Sequence, residues 1–228
     1  MPYAEHMPRK FDRSLLPPSP NLHFEQELWD SGIDIVAGID EAGRGALAGP
    51  VAAGVVILSK KKDLSKTLHG VQDSKQLTAK ARAEWLVVIE DNALSCQVGF
   101  ASAAEVDEIG IMPATRLAAT RALAKTTPAP QHLLIDWISI PEAKLPETSL
   151  AKGDARSLSI ACASIAAKVR RDAYLIELDD VYPGYGFARH KGYGTAKHLA
   201  AINELGPCAV HRQSFSPFHD DQLPLPLN

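Results

Sequence analysis

Residues 34–58 read DIVAGIDEAGRGALAGPVAAGVVIL. Asp34 to Asp40 is rich in Ile and Val, and Val51 to Leu58 is a second β-forming run, so the stretch predicts two strands whose Gly-rich link makes a tight turn, a hairpin. Gly43, Gly45 and Gly49 superficially resemble a phosphate loop. Such a loop must open a helix whose N-terminus holds the phosphate, and here the chain runs on into β-like sequence. Asp40 and Glu41 just ahead of it would also repel a pyrophosphate, which argues against a dinucleotide site.

Beyond the hairpin, Thr78 is a predicted helix N-cap, with Leu77, Ala81, Trp85 and Val88 at helical spacing behind it. Cys96 to Ser102 reads as a strand, Pro113 to Lys125 as an Ala-rich helix with Pro at its start, and His132 to Asp136 as a buried strand ending on a carboxylate. From Ala155 to Asp179 the residues Leu158, Cys162, Ile165, Val169 and Ile176 form one apolar stripe, the longest helix predicted. A last helix, Thr195 to Leu205, stops at Gly206 and Pro207. Strands first, then helices alternating with strands, give an α/β class with a mixed sheet. The expected organisation is one domain over 31–218, with an N-terminal extension (1–30) and a C-terminal tail (219–228) as loose arms.

With 228 residues, 46% hydrophobic and 22% charged, the chain reads as an ordinary soluble, cytoplasmic protein, and its longest apolar run, 50–58, is too short to cross a bilayer. Cys96, Cys162 and Cys208 are scattered, with no CxxC and no His at metal spacing, and read as reduced thiols. The net charge of -3 supplies no overall basic field for a nucleic acid. A local patch does exist: Lys152 to Lys197 holds eight Lys and Arg against five Asp and Glu.

Four acids carry the candidate chemistry. Side chains alternate along a strand, so Asp40 and Glu41 share a site only if the chain leaves the strand between them, which the following glycines permit. Carboxylates about 4 Å apart repel by roughly 4 kcal/mol at an effective dielectric near 20, which a cation or a shifted pKa relieves. Asp136, at a strand end, and Asp154, before the long helix, can face the crevice beside the sheet, although Asp154 has helix capping as an alternative role. Four hard oxygen donors suit Mg²⁺ or Mn²⁺ and disfavour zinc. Ser164, Lys168 and Arg171 share one helix face opposite the apolar stripe, as a phosphate-contacting ridge or a solvated polar face.

Six ordered blocks resemble the ribonuclease HII family: GIDEAGRG at 38–45, DSK at 73–75, LLID at 133–136, KGD at 152–154, SIACASIAAKVRRD at 159–172 and YGFARHKGYGT at 185–195. The resemblance implies an RNase H-like fold, a central mixed sheet flanked by helices with a C-terminal helical segment. It implies an endoribonuclease that cuts the RNA strand of RNA–DNA hybrids, and the 5′ side of ribonucleotides embedded in duplex DNA, leaving 5′-phosphate and 3′-hydroxyl ends. Asp40, Glu41, Asp136 and Asp154 match the metal-binding acids of a two-metal hydrolysis using Mg²⁺ or Mn²⁺. Gly43, Arg44, Gly45 and Tyr193 match the group that senses the 2′-hydroxyl, and Lys75, Ser164 and Lys168 lie where phosphate contacts are expected. Trp137 stands where family members commonly have Gly. The expected partners are the hybrid and ribonucleotide-containing duplex, bound by a monomer without a membrane, with the Leu-Pro stretch 222–227 as a sliding-clamp contact. Another nuclease of the same fold, or a catalytically silent nucleic-acid-binding module, are the alternatives.

Overall fold

The computed structural model describes residues 12, 14, 16–61, 63–72 and 74–218. In chain order the elements are α1 (His23–Asp30), β1 (Val36–Ala42), β2 (Val51–Leu58), α2 (Leu64–Thr67), α3 (Ala79–Asn92), β3 (Ala93–Ala101), α4 (Ala103–Ile109), α5 (Ile111–Leu123), β4 (His132–Asp136), β5 (Glu147–Leu150), α6 (Leu158–Val181), α7 (Phe187–His190) and α8 (Ala196–Leu205). Among the described residues five strands form one sheet in the order β3-β2-β1-β4-β5. The β1/β2 and β2/β3 pairs are antiparallel, whereas β1/β4 and β4/β5 are parallel. This is the mixed α/β sheet the sequence predicts, and the β1/β2 hairpin closes through a broad loop, 43–50, instead of a tight turn.

Each face of the sheet is covered. Ala37, Ile39, Ala53 and Val55 point toward Ala114, Ala118, Ala119 and Ala122 of α5. The small α5 side chains let helix and sheet approach closely. On the other face Val56 and Leu58 pack against Ala161, Cys162, Ile165 and Ala166 of α6 and Leu86 and Ile89 of α3. The helix α6 crosses over Gly38 and Gly54, where an added Cβ would lie 2.2 Å from the Ser159 carbonyl carbon and 2.2 Å from the Ala163 oxygen, respectively. A glycine inside a strand signals such an approach. Gly54→Ala is accordingly expected to lower stability by about 1–3 kcal/mol, through backbone displacement that no rotamer change relieves. Chemical denaturation checks this, and a variant as stable as the parent would contradict it.

Helix α1 was not anticipated, and the loose arm expected over 1–30 does not extend to its last third. Helix α1 has no side-chain N-cap, so local signals for it are weak. Its stability comes from tertiary contacts. Glu25 is fully buried, and one carboxylate oxygen accepts from the hydroxyls of Ser157 (2.6 Å) and Ser159 (2.6 Å) and from the Ser159 amide (2.9 Å), at the N-terminus of α6. Asn21 adds backbone bonds to Arg156 and Leu158 on either side. This segment therefore clamps the stretch that leads from Asp154 into α6. The tail, 219–228, with its expected clamp contact, lies outside the described residues. No helix among the described residues is long and apolar enough to cross a membrane.

Candidate metal centre and nucleic-acid interface

Three acids converge where β1 and β4 end beside the start of α6. Oxygen atoms of Asp40, Asp136 and Asp154 all lie within 4.8 Å of one another. Asp40 is on the α6 face of β1, and its strand partner across the ladder is Gly54. Because Gly54 has no side chain, α6 sits low enough there for Ser164 to hydrogen-bond the Asp40 carboxylate. The Ser164 hydroxyl is itself 2.9 Å from that of Ser74, in the turn carrying Lys75, and Arg82 holds this turn by donating to the Ser74 and Leu77 carbonyls. Asp136 accepts from the Gly153 amide at 2.9 Å, which ties β4 to the Asp154 turn. Asp154 itself lies in a short 3-10 turn, Gly153–Ala155, and Ser157 is the residue that caps α6, so capping leaves Asp154 to the acid cluster. Lys75 Nζ approaches it to 3.9 Å.

Glu41 behaves differently from the expectation. The chain does not leave the strand between Asp40 and Glu41: pairing continues through Glu41↔Ala53 and Ala42↔Ala52, so alternation sends the two side chains to opposite faces. Glu41 accepts from Arg44 Nη1 at 2.9 Å and is not among the three converging acids. Its negative charge nonetheless pushes both Asp40 and Asp136 upward, so it stands at the edge of the cluster.

Burial is the main reason Asp40 is held well above the usual carboxylate range, with the charges of Glu41 and Asp136 adding to it. Burial likewise raises Asp136, against the Gly153 hydrogen bond. Hard oxygen donors crowded at this spacing, and disfavouring their own ionisation, fit a divalent cation such as Mg²⁺ or Mn²⁺. The sign for stability follows. A carboxyl whose folded pKa is raised stabilises the metal-free fold below the unfolded pKa near 4, and that contribution is lost as pH rises through the folded pKa. Asp40→Asn keeps an oxygen for the Glu41 amide (2.7 Å) and removes the charge. At neutral pH in chelator it should melt above the parent, while the parent alone gains stability on adding Mg²⁺ or Mn²⁺. Equal melting of the two proteins in both conditions would contradict this assignment.

The loop 43–50 and the Tyr193 loop form one unit beside the acids. Gly43 has φ +87, and a Cβ there would collide with Arg171 at 1.9 Å from Nε, whereas the space around Gly45 is open. The Leu47 and Ala48 amides donate to the Gly192 carbonyl. Arg171 is fully buried and donates to Pro50 (2.8 Å), Lys191 (3.0 Å) and Ala48 (3.1 Å) carbonyls. Arg212, also fully buried, donates to the Gly49 (3.0 Å) and Arg44 (2.8 Å) carbonyls. Lys168 and Arg171 both face the Tyr193 ring, at 5.4 and 5.5 Å from its centroid. Lys168 also pairs with Asp172 at 2.7 Å. A chain of neutral imidazoles backs this loop: His198 Nδ1 donates to the Tyr193 carbonyl (3.0 Å), and His211 Nε2 donates to His198 Nε2 (3.1 Å). The Cys208 amide in turn donates to His211 Nδ1 (2.9 Å), the tautomers being those the partners require. Burial pushes His198 down to about 4 and lowers His211 as well, which keeps the relay uncharged at neutral pH.

Two expectations are thereby corrected. The helix face holding Ser164, Lys168 and Arg171 is neither a solvated face nor a three-residue phosphate ridge, since Ser164 and Arg171 are buried, one on Asp40 and the other on backbone carbonyls. Cys208 does have a His neighbour, with Sγ 3.1 Å from His211 Nδ1, but the group of metal-ligating side chains found among the described residues is the Asp cluster. Arg171, Arg212 and the His198–His211 pair were missed as supports of the site. Gly54, by contrast, carried a readable signal as a lone glycine inside an apolar strand.

The chain is similar to known proteins over most of its length. A family model described as Ribonuclease HII matches residues 37–217. A Ribonuclease HII of Geobacillus thermodenitrificans (strain NG80-2) is 51% identical over 199 residues, spanning 87% of this chain and 75% of that protein. One of Chloroflexus aurantiacus (strain ATCC 29364 / DSM 637 / Y-400-fl) is 48% identical over 210 residues, spanning 90% and 98%. Among solved structures, ribonuclease H2 from Pyrococcus horikoshii OT3 superposes with a TM-score of 0.68 at 25% identity, over 81% of this chain and 95% of that one. The RNase HII of a PCNA:RNase HII complex from Archaeoglobus fulgidus has the same fold, with a TM-score of 0.68 at 24% identity over 79% and 95%. With the family match running over residues 37–217 and relatives about half identical over most of the chain, the chain belongs to the ribonuclease HII family.

Proposed function

We propose that the chain is a metal-dependent endoribonuclease that cleaves the RNA strand of RNA–DNA hybrids, and duplex DNA on the 5′ side of an embedded ribonucleotide. The observation that carries this reading is the convergence of Asp40, Asp136 and Asp154 beside the loop 43–50. These three would hold Mg²⁺ or Mn²⁺, with Glu41, paired to Arg44, as the fourth acid. When bound, the divalent ions supply Lewis-acid polarisation of the scissile phosphate and a lowered pKa for the attacking water. The chain does the rest. Ser164 and the Gly153 amide fix the carboxylates of Asp40 and Asp136, and Lys75 brings positive charge to the same edge. The open space at Gly45 lets the backbone of Gly43, Arg44 and Gly45 approach a ribose, and Tyr193, held by Lys168 and Arg171, flanks it for recognition of the 2′-hydroxyl. Lys168 brings positive charge for a phosphate. The protein acts as a monomer on the duplex, and a sliding-clamp contact is assigned to residues 222–227.

Product mapping tests this reading. A DNA duplex with one ribonucleotide should yield a 3′-hydroxyl and a 5′-phosphate at a nick 5′ to the ribonucleotide. Cleavage of the all-DNA duplex at a similar rate would favour another nuclease of the same fold, and metal-independent binding without cleavage would favour a silent binding module.

A further inference from the structure

Trp137 follows Asp136 directly, at the point where β4 leaves the sheet. Its φ is +69, a left-handed conformation that bulky L residues adopt only under constraint. Backbone bonds pin it there: the Trp137 amide donates to the Ile135 carbonyl at 3.1 Å, and the Ile138 amide to the Asp136 carbonyl at 2.8 Å. The fold gains little burial in return, since Trp137 is 60% exposed. The Arg44 guanidinium lies 5.1 Å from the ring centroid, and the same guanidinium is held by Glu41 at 2.9 Å. A strained, exposed indole that adjoins an acid of the cluster and touches the loop 43–50 has the attributes of a contact residue and not those of a core residue.

We propose that Trp137 is a substrate-contact residue, its indole packing on a sugar of the duplex next to the scissile phosphate while Arg44 covers another part of the ring. In a duplex the base faces are already stacked, so an aromatic beside the backbone meets sugar C–H surface. Trp137 thereby adds binding without taking part in bond breaking. The inference rests on the endonuclease reading above.

Steady-state kinetics, melting and fluorescence on the intact chain test it together. Trp137→Gly should raise KM for the single-ribonucleotide duplex about five- to tenfold and change kcat less than about twofold. Its melting temperature should stay level or rise, because glycine accepts φ +69 without strain. Trp137→Phe should recover most of the lost affinity. The chain has three tryptophans; Trp29 is buried and Trp85 half-buried. Adding the duplex in excess EDTA should therefore change the parent's emission and leave that of Trp137→Phe nearly unchanged. A Trp137→Gly variant with the parent's KM, one that loses KM and melting temperature together, or an emission change that persists in Trp137→Phe would each overturn the proposal. Failure of the parent to nick the duplex at all would instead overturn the reading on which it rests.

Discussion

Asp136→Asn should reduce turnover by about 1000-fold or more while leaving the fold intact. The substitution exchanges one oxygen for an amide of nearly equal volume. The remaining oxygen still accepts from the Gly153 amide at 2.9 Å, so the tie between β4 and the Asp154 turn persists. What disappears is a negative charge and a hard donor, at a position whose carboxyl oxygen lies within 4.8 Å of those of Asp40 and Asp154. Removing that charge also relieves crowding that burial and Glu41 make unfavourable, so the variant should melt no lower than the parent in chelator. Binding of an uncleaved duplex should change little, because Lys75 and Lys168, the proposed phosphate contacts, are untouched. Cleavage assays beside melting curves check this. Near-normal turnover would remove Asp136 from the chemistry, and a parallel collapse of stability would make its role structural.

Arg171→Ala carries the largest expected cost in stability, about 3–5 kcal/mol, or roughly 10 °C in melting temperature. Arg171 is fully buried and gives its guanidinium to three carbonyls, those of Ala48, Pro50 and Lys191. Truncation leaves these acceptors without that donor, the Ala48 and Pro50 carbonyls in buried positions, and the unmade hydrogen bonds cost more than the lost contacts. It also removes one of the two cations on the Tyr193 ring. Arg171→Lys should recover only part of the loss, since one ammonium cannot reproduce the planar fork. Under conditions where the alanine variant stays folded, cleavage at the ribonucleotide should fall more than duplex binding. Denaturant titration and binding measurements would expose the opposite case, a variant of parental stability whose binding alone is lost.

The parts of this fold that were legible in the sequence are those decided by local pattern. The Ile- and Val-rich runs in 34–58 predicted β1 and β2, and the stripe from Leu158 to Ile176 predicted α6 to within a few residues of each end. Thr78 was correctly read as a cap, accepting from the Ala81 amide, whereas Thr195, read as the first residue of the last helix, is instead its cap and accepts from the His198 amide. What stayed hidden depends on distant chain segments. Helix α1 owes its place to Glu25 meeting Ser157 and Ser159, more than 130 residues away. Arg171 and Arg212 look like surface cations in sequence, and only the folded loop 43–50 supplies the carbonyls that bury them. The carboxylates are an intermediate case. Their positions at element ends were readable, but the side taken by Glu41 depended on how far β1 extends, and it runs through Ala42.

Trp137 shows the same division from another angle. The sequence showed an indole directly after Asp136 but not its conformation: the backbone there is left-handed, with φ +69, and the exposed indole lies next to Arg44.

The most direct test of the central claim is incubation of the protein with a DNA duplex containing a single ribonucleotide, with Mg²⁺ or Mn²⁺ in one arm and EDTA in the other. The account predicts a nick immediately 5′ to the ribonucleotide with either ion, none in EDTA, and none in the matching all-DNA duplex. Absence of a metal-dependent nick at the ribonucleotide would contradict it.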